Sequence, residues 1–213
     1  MNVNRELVSY IEAEILPRYD LFDRAHRRPH AEMVIHRSLK LAEQLNANAD
    51  MAYTIAAYHD TGLAEGREHH HKVSARIIRN DPNLRRWFSE EEINIMANAA
   101  EDHRASADRP PRTLYGRIVA DADRFINPES IIRRTILYGL DHYPTLSREE
   151  HFQRMADHLR KKYGRGGYLH LWVEQSDNAY QLEQLRLIID KEELMRQWFD
   201  KLWEQLPTPS TPL

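Results

Sequence analysis

The chain has 213 residues, 41% of them hydrophobic, which is enough for one sizeable core or a core with a subdomain rather than two independent domains. With 33 acidic against 30 basic residues and a formal charge of −3, it has no overall basic field to hold extended nucleic acid by its backbone, so any anionic partner must be held locally. It contains no cysteine, which excludes disulfides, thiolate nucleophiles and Cys-ligated zinc and leaves metal binding to His, Asp and Glu.

Apolar residues recur at helical spacing almost throughout, and no alternating run bounded by turns argues for a strand, so the chain reads as all-α. A first helix is expected over about residues 3 to 16, with Leu7, Ile11 and Ile15 four apart and Pro17 closing it. Pro29 suits the first turn of a second helix carrying Val34, Leu41 and Leu45, and a third is expected from about Asp50 to Asp60. A short helix from about Glu68 to Asn80 is broken by Asp81-Pro82-Asn83. Ser89 with Glu92 has the form of a capping box and opens a helix that ends near His103. The segment RASADRPPR at 104 to 112 must be loop, after which helical spacing returns over about Thr113 to Ile126. Asn127-Pro128-Glu129 starts a further helix that ends before Pro144, and Ser147 with Glu150 repeats the capping box in a helix stopped by GRGG at 164 to 167. One last long helix is expected from about Ala179 to Leu206, with PTPSTPL as a frayed tail. Residues 1 to 127 and 128 to 206 are thus expected as two lobes of one helical body, the second packed on the first, with 207 to 213 a flexible tail. The N-terminus lacks the apolar core of a signal peptide, and no run approaches the roughly 20 apolar residues that span a bilayer, so a cytoplasmic protein without a membrane partner is expected.

Eight of the twelve histidines fall between residues 26 and 103, and helical phase says which of them face inward. His59 follows Ala56, Ile55 and Ala52 by three, four and seven residues and shares their stripe, and His103 stands in the same relation to Ala100, Ala99 and Met96. His70 precedes Val73, Ser74 and Ile77 at the spacings of one face, and His30 sits four residues before Val34. Four helices therefore each deliver one imidazole to an apolar side. A single such histidine is ordinarily a core residue bonded to a neighbour, but four together need shared partners, and a metal ion or carboxylates are the usual ones. The remaining histidines, His151 and His158 among them, read as surface residues or as supports behind these. Asp60 follows His59 directly, and neighbours on a helix diverge by about 100°, so both reach one ion only if it lies beyond the helix end, which Gly62 suggests. A second carboxylate comes from IVADADRFI at 118 to 126, where phase alone does not choose between Asp121 and Asp123.

His30, the HD pair at 59 and 60, and an aspartate within DADR, in that order on an all-helical chain, resemble the HD-domain metal-dependent phosphohydrolases. The resemblance covers about residues 5 to 127 and extends to AAYHDTG, H-x-x-x-S-A at 70 to 75, HR at 103 and 104, and YGRIVADADR at 115 to 124. It implies an HD-type helical bundle with additional C-terminal helices, and a divalent ion held by His30, His59, Asp60 and Asp123, the last because the family's ligand directly precedes a basic residue. Some members hold a second ion with two further histidines, and His70 and His103 occupy that part of the order. TGLAEG after the HD pair lacks the Glu-Asp pair of members that hydrolyse guanosine tetraphosphate, and FINPESIIRRTILYGLDHY departs from the LDAIG-like continuation of many small members, so no particular substrate is carried over.

Nitrogen and carboxylate ligands without sulfur suit manganese, iron, magnesium, zinc or nickel, with one or two ions per chain. Such an ion lowers the pKa of bound water and neutralises a phosphoryl group. Asp60 and His59 are the expected catalytic centre, and Arg104, Arg109 and Arg112, on the loop after His103, are expected to grip phosphate by paired hydrogen bonds. A phosphohydrolase acting on a small phosphorylated compound, a nucleotide for preference, is the first expectation. A two-iron oxygenase of the same fold and a non-catalytic metal-binding helical module are the alternatives.

Overall fold

A computed structural model describes residues 2–23, 26–104, 109–174 and 176–206. Among the described residues there are ten α-helices and no strand. They fall into two compact units, one drawn from Met1–Arg124 with Leu171–Ser176, the other from Phe125–His170 with Asp177–Leu213. The division differs from one read at residue 127, because a short stretch near 171 to 176 belongs with the first unit. Residues 105–108 of the loop at 104 to 112 and the tail at 207 to 213 lie outside the described residues.

The first unit holds α1 (Arg5–Glu14), α2 (Arg28–Gln44), α3 (Ala49–Tyr58), α4 (His70–Asn80), α5 (Glu90–Asp102) and α6 (Leu114–Asp123). Helix α3 is apolar on every side, with Met51, Ala52, Ile55, Ala56 and Ala57 all buried, and a helix of that kind belongs in the middle of a core. Helices α2, α5 and α6 pack around it, adding Val34, Ile93, Met96, Ile118 and Val119 to one cluster. Side chains fix the helix starts: Asn4, Asn48 and Thr113 each accept a backbone amide two or three residues on, and Ser89 with Glu92 forms a complete capping box. The first helix stops at Glu14, short of the expected 16, because the chain tightens into a 3₁₀ segment over Leu16–Leu21 with Pro17 at its start.

The second unit holds α7 (Pro128–His142), α8 (Arg148–Tyr163), α9 (Asp177–Ile189) and α10 (Glu192–Glu204). Its core brings Ile132, Ile136, Met155 and Leu159 together with Leu185, Met195 and Leu202, and the rings of Phe152 and Phe199 meet edge to face at 5.4 Å. The single helix expected over 179 to 206 is two helices. Its apolar stripe is interrupted where Glu192 and Glu193 fall, and both acids lie in the first turn of α10, where the helix dipole favours negative charge. His151, read as a surface residue or a support behind the inward histidines, is buried, its ring 5.4 Å from that of Trp203. No helix among the described residues is long and apolar enough to cross a membrane.

One glycine fixes how α4 approaches the end of α3. The Gly62 amide donates to Ser74 Oγ at 2.9 Å, and a Cβ at residue 62 would stand 2.1 Å from the His70 carbonyl oxygen and 2.7 Å from the Ser74 nitrogen. Both obstacles are backbone, so no side-chain rotation relieves them. Gly62→Ala is therefore expected to push α4 away and to destabilise the protein by about 1–3 kcal/mol, as overpacking does elsewhere, read as a lower urea midpoint at unchanged slope.

Candidate metal centre

The site starts from the carbonyls that a helix leaves unpaired in its last turn. At the end of α3, the His59 Nδ1–H donates to the Ala56 carbonyl at 2.7 Å, the Tyr19 hydroxyl to the Ala57 carbonyl at 2.9 Å, and the Thr61 hydroxyl to the Tyr58 carbonyl at 2.7 Å. Tyr19 Oη also accepts the Asp60 amide at 3.3 Å, which ties the HD pair to the segment after α1. At the end of α5 the same device recurs, with the His103 Nδ1–H donating to the Ala100 carbonyl at 2.6 Å. His70, the first residue of α4, donates through Nδ1 to the Arg67 carbonyl at 2.8 Å. A carbonyl oxygen only accepts, so each of these bonds places the proton on Nδ1 and leaves Nε2 as a bare lone pair in the neutral ring.

Those lone pairs converge. His30, in the first turn of α2, brings its Nε2 to 3.3 Å from that of His59, 3.6 Å from Asp60 Oδ2 and 3.2 Å from Asp123 Oδ1. His59 Nε2 is itself 3.3 Å from Asp60 Oδ2 and 3.8 Å from Asp123 Oδ1. The other oxygen of Asp60, Oδ1, lies 3.4 Å from His70 Nε2 and 3.5 Å from His103 Nε2, which are 3.3 Å from each other. Ligands about 2.1 Å from one ion stand roughly 3.0–3.4 Å apart in octahedral or tetrahedral geometry. Both groups, His30–His59–Asp60 and Asp60–His70–His103, could hold a metal ion, and Asp60 is common to them, one oxygen turned to each.

The opposed Nε2 atoms of His70 and His103 make the chemical case. Two neutral imidazoles with their protons held on Nδ1 would face each other lone pair to lone pair, so a cation or a proton must stand between them. The carboxylates demand positive charge as well. Asp60 is buried, which opposes its ionisation, yet the imidazoles of His59, His103 and His30 hold its pKa well below the usual carboxylate range. Asp123 is lowered in the same way, burial being outweighed by His30 and by the field of His59 and His103. Burial works against protonation of His30, but hydrogen bonds to Asp123 and Asp60 outweigh it and raise its pKa to about 9.

The two aspartates that phase left undecided have separate duties. Asp123 lies against His30. Asp121 is fully buried and turns the other way, its carboxylate accepting the Trp172 amide at 2.9 Å and the Val173 amide at 2.7 Å and pairing with Arg124 at 3.3 Å. It anchors the 171–176 segment rather than a metal. The three arginines expected to bind substrate also separate. The Arg112 guanidinium and amide both bond the buried Asp102, with Nε 2.9 Å and Nη2 2.9 Å from its oxygens, so its fork is taken up in holding the loop to α5. Arg109 leans on the same carboxylate at 3.4 Å. Arg104 donates to the Glu68 carbonyl at 2.9 Å, and its charge lies close enough to His70 and His71 to help burial lower both. Of the three, Arg104 is the one beside the imidazoles. Tyr19 and Thr61 carry no sequence signal for their roles, and Ser74 accepts the Gly62 amide.

Residues 27–127 match the family model of the HD domain. The chain carries an HD domain. Its bounds leave α1 and the following 3₁₀ segment outside, although Tyr19 from that segment holds the HD pair. Among solved structures, a predicted HD superfamily hydrolase from an uncultured Thermotogales bacterium is similar at 21% identity, covering 72% of this chain and 83% of that one with a TM-score of 0.48. No curated protein matches the chain.

The raised pKa of His30 has a consequence for the metal-free HD domain. An unfolded histidine titrates near 6.5, so the folded state holds this proton more tightly; the stability it adds is complete below about pH 6.5 and is lost as pH rises through about 9. Thermal melts of chelator-treated protein are expected to show that loss, and saturating manganese to suppress it, because an ion replaces the proton and binds more tightly as pH rises. A metal-free melting temperature that does not fall over this range would refute the pairing of His30 with the two carboxylates.

Proposed function

We propose that the HD domain is a metal-dependent phosphohydrolase that binds two divalent ions and acts on a small phosphorylated compound of the nucleotide class. The observation that carries this reading is Asp60, whose two oxygens face separate imidazole pairs. His30, His59, Asp60 and Asp123 would hold one ion, and Asp60, His70 and His103 the other. Ions bound there would supply an acidified water and neutralise charge on the phosphoryl group. The protein's own contribution is to fix the ligands through the Nδ1–H bonds to the Ala56, Ala100 and Arg67 carbonyls, and to keep His59, Asp60 and His103 buried away from bulk water. Asp60 would also orient the attacking water, and Arg104 would meet the phosphate as a fixed positive charge with a forked donor set. The nucleotide class rests on the family resemblance of the sequence.

Metal analysis of protein purified without added metal is expected to give two ions per chain, one in His70→Ala and none held stably in Asp60→Ala. With manganese, magnesium, cobalt or nickel, a panel of nucleotides and phosphomonoesters should contain a compound from which phosphate is released. Asp60→Ala should slow that release by about a thousandfold or more, since it removes a ligand common to both ions. Arg104→Ala should raise KM by roughly tenfold, as loss of one charge-assisted contact does. No phosphate release from any member of the panel would sink the reading. Oxygen consumption by the iron-loaded protein with a polyol or phosphonate would move the chemistry to the two-iron class.

A further inference from the structure

The second unit carries a cavity of its own. Helices α7 and α8 enclose a space of about 300 Å³ lined by Arg134, Thr135, Tyr138, Arg154, His158 and Lys162, with no carboxylate among its lining residues. The other arginines of this unit, Arg133, Arg148, Arg160, Arg165, Arg186 and Arg196, each pair with an aspartate or glutamate. Among the described residues Arg134 and Arg154 have no such pair, and both line this cavity. Arg154 is positioned without being neutralised. Its Nη2 donates to the Thr135 carbonyl, its guanidinium lies 5.8 Å from the ring centres of Tyr138 and Tyr143, and its buried Nε has no hydrogen-bond partner. Gly139 makes room for it, since a Cβ there would stand 2.5 Å from Nη2 and 2.8 Å from Nε. Arg134 bonds the Tyr163 hydroxyl, again a neutral partner. The field of the cluster is felt by His158, which burial and the charges of Lys162, Arg154 and Lys161 hold below its ordinary pKa.

We propose that this cavity is a binding site for a phosphate group, borne by a small molecule or free as inorganic phosphate, distinct from the metal centre. Three permanent cations converging without a carboxylate call for a multiply charged anion, and a single carboxylate ligand would leave most of that charge uncompensated. The volume is at the lower end for small-molecule sites and suits a compact ligand. A hydrogen bond that holds the Arg154 side chain against α7 while leaving its charge unmatched is what a preformed anion site requires.

Calorimetric titration of metal-free full-length protein with inorganic phosphate, AMP and a single-stranded oligonucleotide tests this. Phosphate or AMP should bind, and Lys162→Glu and Arg154→Ala should each weaken that binding by roughly tenfold or more while far-UV circular dichroism stays unchanged. Lys162 is partly exposed, so its reversal keeps the test valid even where Arg154→Ala fails to fold. Tighter binding of AMP than of phosphate assigns the site to a phosphorylated small molecule, and equal binding to free phosphate. Unchanged affinity in Lys162→Glu overturns the proposal, since any remaining binding then belongs to the metal centre. So does binding of the oligonucleotide alone.

Discussion

The imidazole that bonds a carbonyl left free in a helix's last turn is the interaction on which the metal centre depends. At the ends of α3 and α5, His59 and His103 each give the Nδ1 proton to the carbonyl three residues back. That bond satisfies a backbone group that would otherwise be buried without a partner, and it fixes the tautomer and aim of Nε2 in the same stroke. The placement of the HD pair follows from it. Asp60 comes directly after a residue whose ring is locked, its amide is held by Tyr19, and its carboxylate has no freedom to turn from the imidazoles around it. Gly62 then lets α4 come close enough for His70 to reach the second oxygen.

Energetically such a centre is a poor piece of core. One buried carboxylate, one half-buried carboxylate and four imidazoles in contact replace what could have been apolar packing, and removing positive charge from the set leaves Asp60 uncompensated, a state that costs several kcal/mol for a buried ion. Charge balance therefore requires cations at the points where the lone pairs meet. Protons can serve, as the raised pKa of His30 shows, but they compete with the very groups that accept metal. The arrangement is stable as a binding site and wasteful as a scaffold, which is why the cluster argues for function more strongly than any one of its residues.

Much of this was legible in the sequence, because helical phase is a local property. His30, His59, His70 and His103 each declared an inward face through neighbours three and four residues away, and both capping boxes were visible as Ser and Glu three apart. What sequence withheld is decided by partners far along the chain. Asp121 and Asp123 are two residues apart on one helix, and only the amides of Trp172 and Val173, some fifty residues on, draw Asp121 away from the site. Tyr19 reaches Ala57 across 38 residues, with nothing in its own surroundings to mark it. Arg112 is expected at a phosphate because nothing local marks its partner Asp102, which lies ten residues back, beyond the span of a helical turn. The break between α9 and α10 leaves only a faint local mark: the apolar stripe skips from Ile189 to Met195, and the two acids between them lie at the start of the new helix.

Charge pairing in the second unit sharpens the contrast between scaffold and site. Arginines at or near the surface of α8, α9 and α10 are matched with carboxylates, pairs that contribute little to stability individually but leave no net local field. Arg154 and Arg134 depart from that pattern on the two helices that face each other across the cavity, and their hydrogen bonds go to a carbonyl and a phenol, groups that orient a guanidinium without cancelling its charge. A surface made only for solubility has no use for such orientation, because a solvated arginine needs none. Gly139 adds a steric argument that does not depend on charge: on a helix where alanine would be favoured by about 1 kcal/mol, the missing Cβ leaves the space that the Arg154 guanidinium occupies. Sequence choice, packing and electrostatics thus agree at that position, and an oriented, unneutralised cation beside an open cavity is what an anion site requires.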